Sequence, residues 1–208
     1  NVGVIALIVL FQDEIRRFLL TLGSHRHVSA LARLFNGSKK ESLKHDDIMP
    51  VVMACLSMGK QKVGALIVIE HTTPLDEVVR TGEIIDAAIS QRLIENIFFK
   101  NSPLHDGAMV IRDGKIYAAG CILPLTKKLV SSSLGTRHRA GIGLTEESDA
   151  LVVIVSEETG AISVAKGGIL QKDVSYGDLR DILTTQFIPS GSSDDDKIIN
   201  KLVRRIKK

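Results

Sequence analysis

Apolar positions along the chain fall into continuous runs and into helical spacings. Continuous runs rich in β-branched residues occur at Val63–Glu70, Ala108–Arg112 and Leu151–Val155. Runs of this length predict strands that are buried on both faces. Asp113-Gly114 is a two-residue hairpin signal, so we expect an antiparallel return strand over 115–123.

Helical spacing of apolar residues predicts three well-defined helices. They cover 46–59, 90–99 and 175–187, and Pro50 is expected in the first turn of the first helix. Residues 161–166 would pair with the strand at 151–155, whereas 83–89 fits either a short strand or a helix start, and 139–145 leads into a helix or a turn. Five to seven strands with helices before, between and after them predict an α+β (mixed α/β) domain. Its sheet would be mixed, largely antiparallel and flanked by helices.

The two ends of the chain differ from its middle. Positions 2–11 are uncharged and nearly all apolar, and Arg16-Arg17 follows soon after. A bilayer span takes about 20 residues, so this run fits either a buried helix end or the cytoplasmic end of a transmembrane helix, and the arginine pair favours the second. We therefore expect a membrane-proximal helical segment at 1–35, a globular domain at 36–188, and a linker with a C-terminal amphipathic helix at 189–208.

Composition narrows the classes of function. The 208 residues include no Trp and 4% aromatics, and the formal charge is +3, which favours neither a stacking platform for nucleic acid nor a basic groove. Cys55 and Cys121 lie in apolar surroundings without a CxxC partner, as is typical of buried thiols. The sequence contains no GxGxxG, GxxxxGK[ST] or HExxH pattern.

One polar segment places an acid beside a glycine just before a predicted strand. In Asn101–Ala108, with the sequence NSPLHDGA, Asp106 stands between His105 and Gly107. A carboxylate can hold a metal or take a proton, and the glycine lets a ligand approach the backbone. A plain Asp-Gly turn is the alternative, although the hairpin signal at Asp113-Gly114 is the better turn.

Two further polar segments complete the candidate chemistry. Gly135–Ala140, with the sequence GTRHRA, concentrates positive charge where a helix could begin, and arginine binds phosphate through two parallel hydrogen bonds. A solvated basic loop is the alternative. Ser156–Gly160, with the sequence SEETG, puts adjacent carboxylates after a buried strand, where a metal site and a simple turn fit equally well. Together the segments indicate metal-assisted chemistry on phosphates.

The strings SPLHDGA, GTRHRA and SEETG, in this order, resemble the motifs of diadenylate cyclases. The resemblance covers about Asp46 to Phe187, and the apolar N-terminus is similar to that of the membrane-anchored CdaA class. It implies the DAC-domain fold of that family. It also implies a nucleotidyltransferase that condenses two ATP into cyclic di-AMP and releases two pyrophosphates.

The resemblance also implies roles for individual residues. The catalytic residues would be Asp106, Gly107, Arg137, His138 and Arg139. The nucleotide would contact Leu104, Ala108, Ile122, Leu123, Gly135, Thr136, Arg137, Ser156 and Glu158. A divalent metal, Mn²⁺ or Mg²⁺, would be held by Asp106, His105 and Glu158.

The implied partners follow from the same resemblance. They are ATP, a second protomer in a homodimer, the bacterial cell membrane through missing N-terminal helices, and a regulatory protein, but no nucleic acid. The catalytic domain would be cytoplasmic, and the chain as given would be soluble. A catalytically silent nucleotide-binding regulatory module is the main alternative. An adaptor that acts through its apolar ends, 2–11 and 198–206, is a second one.

Overall fold

A computed structural model describes residue 43, residues 45–128 and residues 134–188. The chain divides into two compact units, Asn1–Lys40 and Glu41–Lys208, and the described residues all belong to the second unit. The expected membrane-proximal segment at 1–35 lies outside the described residues. So do the linker and the amphipathic helix at 189–208.

The described unit contains both helices and strands. In chain order they are α1 (His45–Gln61), β1 (Ala65–Ile69), α2 (Asp76–Val79), β2 (Glu83–Ala88), α3 (Gln91–Ile97), β3 (Ala108–Arg112), β4 (Lys115–Cys121), α4 (Thr136–Glu147), β5 (Leu151–Val155), β6 (Ile162–Lys166), β7 (Ile169–Gln171) and α5 (Tyr176–Phe187). Among these helices, none combines the length and the apolar character needed to cross a bilayer.

The seven strands form one sheet in the order β2-β4-β3-β1-β5-β6-β7. β1 and β3 are parallel, and the other neighbouring pairs are antiparallel. The apolar runs of β1 and β5 lie at the centre and are buried along their whole length, because helices cover both faces of the sheet. The expected mixed, largely antiparallel sheet flanked by helices is confirmed.

Alternation along the central strands divides the core between the two faces. Ile67 and Ile69 of β1 pack with residues of α1, α3 and α5. Leu66 and Val68 pack on the other face with residues of α4 and with Val79 of α2. Helix α4, which begins with the TRHR sequence, is therefore fixed to the sheet by its apolar side.

Some boundaries differ from the sequence-based expectation. Helix α1 begins at His45, so Pro50 lies inside it rather than in its first turn. The return strand β4 ends at Cys121, and the stretch at 83–89 is a strand rather than a helix start. Strand β7 was not predicted, because it has only three residues and follows two glycines.

The pairing brings several strand ends to one edge of the sheet. β1, β3 and β6 begin at this edge, whereas β4, β5 and β7 end there, as their parallel and antiparallel partners require. The segments LHDGA before β3 and SEETG after β5 therefore meet at the same edge, although they are far apart in sequence.

Candidate active site

A cleft of about 980 Å³ opens at this edge of the sheet, beneath the start of α4. Residues from all three polar segments line it. The expected site residues in its lining are Asp106, Gly107, Ile122, Leu123, Gly135, Thr136, Arg137, His138, Ser156 and Glu158. One cavity thus combines an apolar wall, a helix N-terminus and several carboxylates.

Gly107 sets the position of Asp106 at the start of β3. Its φ is +143°, and a Cβ added to it would lie 2.6 Å from the carbonyl carbon of Gly120 and 2.9 Å from the oxygen of Cys121. No side chain fits in that space, so β3 and β4 approach each other here backbone to backbone. The neighbouring Asp106 is exposed and lines the cleft.

Arg137 is held by a carboxylate from the opposite wall. Its Nη1 donates to Oε2 of Glu157 over 2.7 Å. Gly64 leaves the space for this pair, because a Cβ there would lie 2.7 Å from Nη1 of Arg137 and 3.0 Å from Oε2 of Glu157. The pair fixes the guanidinium in front of the first residues of β1.

His138 is half-buried and lines the cleft. Its Nε2 is 3.4 Å from Oγ of Ser163 on β6. Burial and the positive charge of Lys172 lower the pKa of His138, and the carboxylate of Glu158 opposes this effect only in part. The imidazole is therefore neutral at pH 7 and acts as a hydrogen-bonding group rather than as a cation.

Ser156 builds the turn that presents the acidic pair. Its Oγ accepts hydrogen bonds from the backbone N–H of Glu158 at 3.3 Å and of Thr159 at 3.2 Å. Gly160 closes the turn with φ +79°. The Ser156 hydroxyl is thus engaged with the backbone, and the exposed carboxylate of Glu158 projects from the turn that it stabilises.

Four expected site residues do not line the cleft. Nδ1 of His105 is 2.5 Å from the carbonyl oxygen of Ser102, within its own loop. Leu104 and Ala108 pack into the two halves of the core. The side chain of Arg139 is exposed outside the cleft lining.

The expected three-ligand metal site is not assembled within the described residues. No group of three or more His, Cys, Asp and Glu side chains lies close enough there to hold an ion. Two of the three expected ligands, Asp106 and Glu158, do line the same cleft, and the third, His105, lies outside it.

The cleft also contains residues that the motifs did not indicate. Glu157, Ser163, Lys172 and Asp173 belong to its lining. Lys172 and Asp173 follow β7, the strand that the sequence pattern missed, so only the strand pairing brings them to the site. The lining then holds four carboxylates (Asp106, Glu157, Glu158 and Asp173) against two cations (Arg137 and Lys172).

Comparison with known proteins gives the family. Residues 52–170 match the family model described as DAC, DisA bacterial checkpoint controller nucleotide-binding. This chain belongs to the diadenylate cyclase family. It is 40% identical over 186 residues to the cyclic di-AMP synthase CdaA of Bacillus subtilis, covering 89% of this chain and 66% of that protein. It is 41% identical over 187 residues to a diadenylate cyclase of Listeria monocytogenes, covering 89% and 67%.

A solved structure agrees with these relatives. The crystal structure of a double mutant of DacA from Staphylococcus aureus superposes with a TM-score of 0.68 at 46% identity and covers 69% of this chain and 96% of that one. The chain spans about two thirds of the length of the two curated relatives. The first of these relatives is named a cyclic di-AMP synthase and the second a diadenylate cyclase.

Proposed function

We propose that the cleft is the active site of a diadenylate cyclase that converts two ATP into cyclic di-AMP and two pyrophosphates. The observation that carries the proposal is the convergence of the LHDGA, TRHR and SEETG segments on one cavity, in a chain whose relatives bear that activity in their names. Fold alone would not suffice, because one fold hosts many activities.

The reaction makes two equivalent bonds. Each ribose 3′-oxygen bonds to the α-phosphorus of the other ATP, the bond from that phosphorus to the β-bridging oxygen breaks, and pyrophosphate leaves with the electron pair. Each 3′-hydroxyl gives up a proton. Asp106 would take or orient that proton, because its exposed carboxylate lines the cleft.

The other walls of the cleft suit the adenine base and the phosphates of the nucleotide. Ile122 is 70% exposed and Leu123 lies next to it, so adenine would cover apolar surface that otherwise faces water. Gly135, Thr136 and Arg137 at the start of α4 line the cleft, and the N–H groups of a helix N-terminus and a guanidinium suit phosphate oxygens.

The donor set fits a divalent cation that binds together with the nucleotide. Four carboxylates against two cations would repel a triphosphate unless additional positive charge enters the cleft. Mg²⁺ and Mn²⁺ suit such a site, since Mg²⁺ typically binds through one or two carboxylates and the substrate phosphates. Asp106 and Glu158 are the residues that would hold the ion, which when bound would neutralise phosphate charge.

Closing the ring requires two nucleotides that face each other. Because a cleft with one copy of each motif would hold one ATP, we propose that the active form is a homodimer with the two clefts opposed. We further propose that the full-length protein is attached to the membrane, a proposal supported by the apolar run at 2–11 followed by Arg16-Arg17.

The test is incubation of the purified chain with ATP and either Mn²⁺ or Mg²⁺, followed by chromatography of the products. Wild type should give cyclic di-AMP and pyrophosphate, and Asp106→Asn should give neither while still binding ATP. Asp113→Asn is the matched control, because this second Asp-Gly pair forms the β3–β4 hairpin outside the cleft. ATP binding by wild type without any product would instead favour the silent regulatory module.

A further inference from the structure

Lys172 is a cation of the cleft that takes no part in the proposed contacts with adenine, phosphate or metal. It lies in the segment after β7, where its side chain is exposed and lines the cavity. The segment is anchored to the sheet, since the N–H of Val174 donates to the carbonyl of Ile162 over 2.8 Å. The lysine therefore belongs to a fixed part of the wall.

The sheet order places Lys172 at the far end of the cleft from Asp106. From β3 to β7 the order is β3-β1-β5-β6-β7, four strand spacings or about 19 Å. Asp106 precedes β3, and the apolar Ile122 follows β4, so ribose and adenine would lie at that end. A phosphate tail that leaves the ribose inside the cleft must then extend toward β5, β6 and β7.

Cationic and hydrogen-bonding groups follow one another along this direction of the sheet. Arg137 contacts Glu157 just after β5, and His138 contacts Ser163 on β6. Lys172, after β7, is next along the path. The positive charge of Lys172 helps to lower the pKa of His138, although burial has the larger effect.

The two cations of the cleft differ in how far they are already neutralised. Arg137 is paired with Glu157 at 2.7 Å. For Lys172, no carboxylate among the described residues lies within ion-pair distance. An unpaired ammonium at the end of a phosphate path is suited to the terminal phosphates, which carry the highest charge of the nucleotide.

We propose that Lys172 binds the β- and γ-phosphates of ATP and holds the pyrophosphate as it leaves. The residue would thereby select for a triphosphate over nucleotides that lack the terminal phosphates. This inference rests on the proposed function, because it takes the cleft to be the ATP site.

The test compares a triphosphate with a monophosphate that lacks the β- and γ-phosphates that Lys172 would touch. Binding of 3′-deoxy-ATP, which cannot react, and of AMP is measured with Mg²⁺ by competition for Lys172→Met, Lys172→Arg and wild type. We expect Lys172→Met to weaken 3′-deoxy-ATP binding about tenfold and to leave AMP binding unchanged. Lys172→Arg should keep most of the affinity. Lys100→Met is the matched control, since Lys100 is exposed and lies outside the cleft lining.

Two results would overturn the assignment. One is unchanged binding of 3′-deoxy-ATP in Lys172→Met, and the other is an equal loss for both nucleotides, which would indicate a disturbed cleft rather than a phosphate contact. Product chromatography on wild type tests the proposed function separately from the Lys172 assignment. If wild type makes no cyclic di-AMP while Lys172→Met still loses triphosphate affinity selectively, the lysine assignment stands and the cyclase proposal fails.

Discussion

At the scale of single residues, the cleft depends on an absent side chain at Gly64. A methyl group there would lie 2.7 Å from Nη1 of Arg137 and must displace the Arg137–Glu157 pair. Both are flexible side-chain ends, so Gly64→Ala should change the free energy of unfolding by no more than about 1 kcal/mol. Cyclic di-AMP formation should fall about 10- to 100-fold, because misplaced groups lose their positioning effect.

The measurement is urea unfolding together with the product assay. Gly177→Ala, near the start of α5, serves as the control because an added Cβ would meet only Oγ of Ser175 at 3.9 Å. That variant should keep its activity and its stability. Full activity in Gly64→Ala would mean that the position of Arg137 does not matter to the reaction.

His138 makes a prediction about pH. Burial, with help from Lys172, lowers its pKa in the folded protein below the ordinary value near 6.5. The unfolded chain therefore binds more protons than the folded one in the window from that value down to the folded pKa. Stability is complete above the window and is lost as the pH falls through it. Unfolding in urea from pH 7.5 to 5 should show a smaller decline for His138→Gln than for wild type, and an identical decline would contradict the assignment.

At the scale of elements, the site depends on a backbone contact between α1 and the turn after β5. Gly160 has φ +79°, and a Cβ on it would lie 2.2 Å from the carbonyl oxygen of Gly59. Gly167 also has a positive φ, +56°, but an added Cβ there meets nothing within 4 Å. Gly167→Ala should cost about 1 kcal/mol from backbone strain alone. Gly160→Ala should cost about 2–3 kcal/mol, because a clash with fixed backbone is added.

The two alanine variants should also differ in activity. The turn that contains Gly160 carries Glu157 and Glu158, so its displacement should reduce product formation, whereas Gly167→Ala should remain active at temperatures where it is folded. Equal losses of stability by urea unfolding would show that the α1 contact relaxes freely.

Elements with strong local signals could be predicted from sequence, and others could not. Asp113-Gly114 identified the β3–β4 hairpin, and the apolar run at Leu151–Val155 identified β5 with its boundaries. For helix α4, the sequence at 139–145 fits either a helix or a turn, because Gly141 and Gly143 lower helix propensity. Its stability comes from packing that no local pattern reports, such as the approach of Gly143 to the backbone of Pro124 and Thr126.

In the candidate site, too, some residues could be predicted from the sequence and others could not. The motif residues Asp106 and Arg137 could be named because their strings resemble a known family. Lys172 could not, since it reaches the cleft only through the pairing of β7 with β6, and a three-residue strand leaves no periodic signal. Strand order is a property of the tertiary structure: β1 lies between β3 and β5, and neither is its neighbour in sequence.

At the scale of the whole molecule, the proposed reaction demands more than one protomer. A ring with two phosphodiester bonds needs two activated 3′-hydroxyls, and each cleft with one Asp106 would supply one. A dimer with a single Asp106 should therefore form one bond and stop at a linear dinucleotide that still carries a 5′-triphosphate. Mixing wild type with a tenfold excess of Asp106→Asn would place most wild-type protomers in such dimers, provided that subunits exchange.

Chromatography of the mixture gives the test. We expect cyclic di-AMP per wild-type protomer to fall and the linear product to accumulate, because wild-type pairs become rare. The same excess of Asp113→Asn, whose substitution lies outside the cleft, should leave the cyclic yield per active protomer undiminished. Mass spectrometry of the mixed sample under native conditions would show that subunits have exchanged. Undiminished cyclic product in a sample with proven exchange would mean that one protomer closes the ring alone, and the opposed-cleft dimer would have to be abandoned.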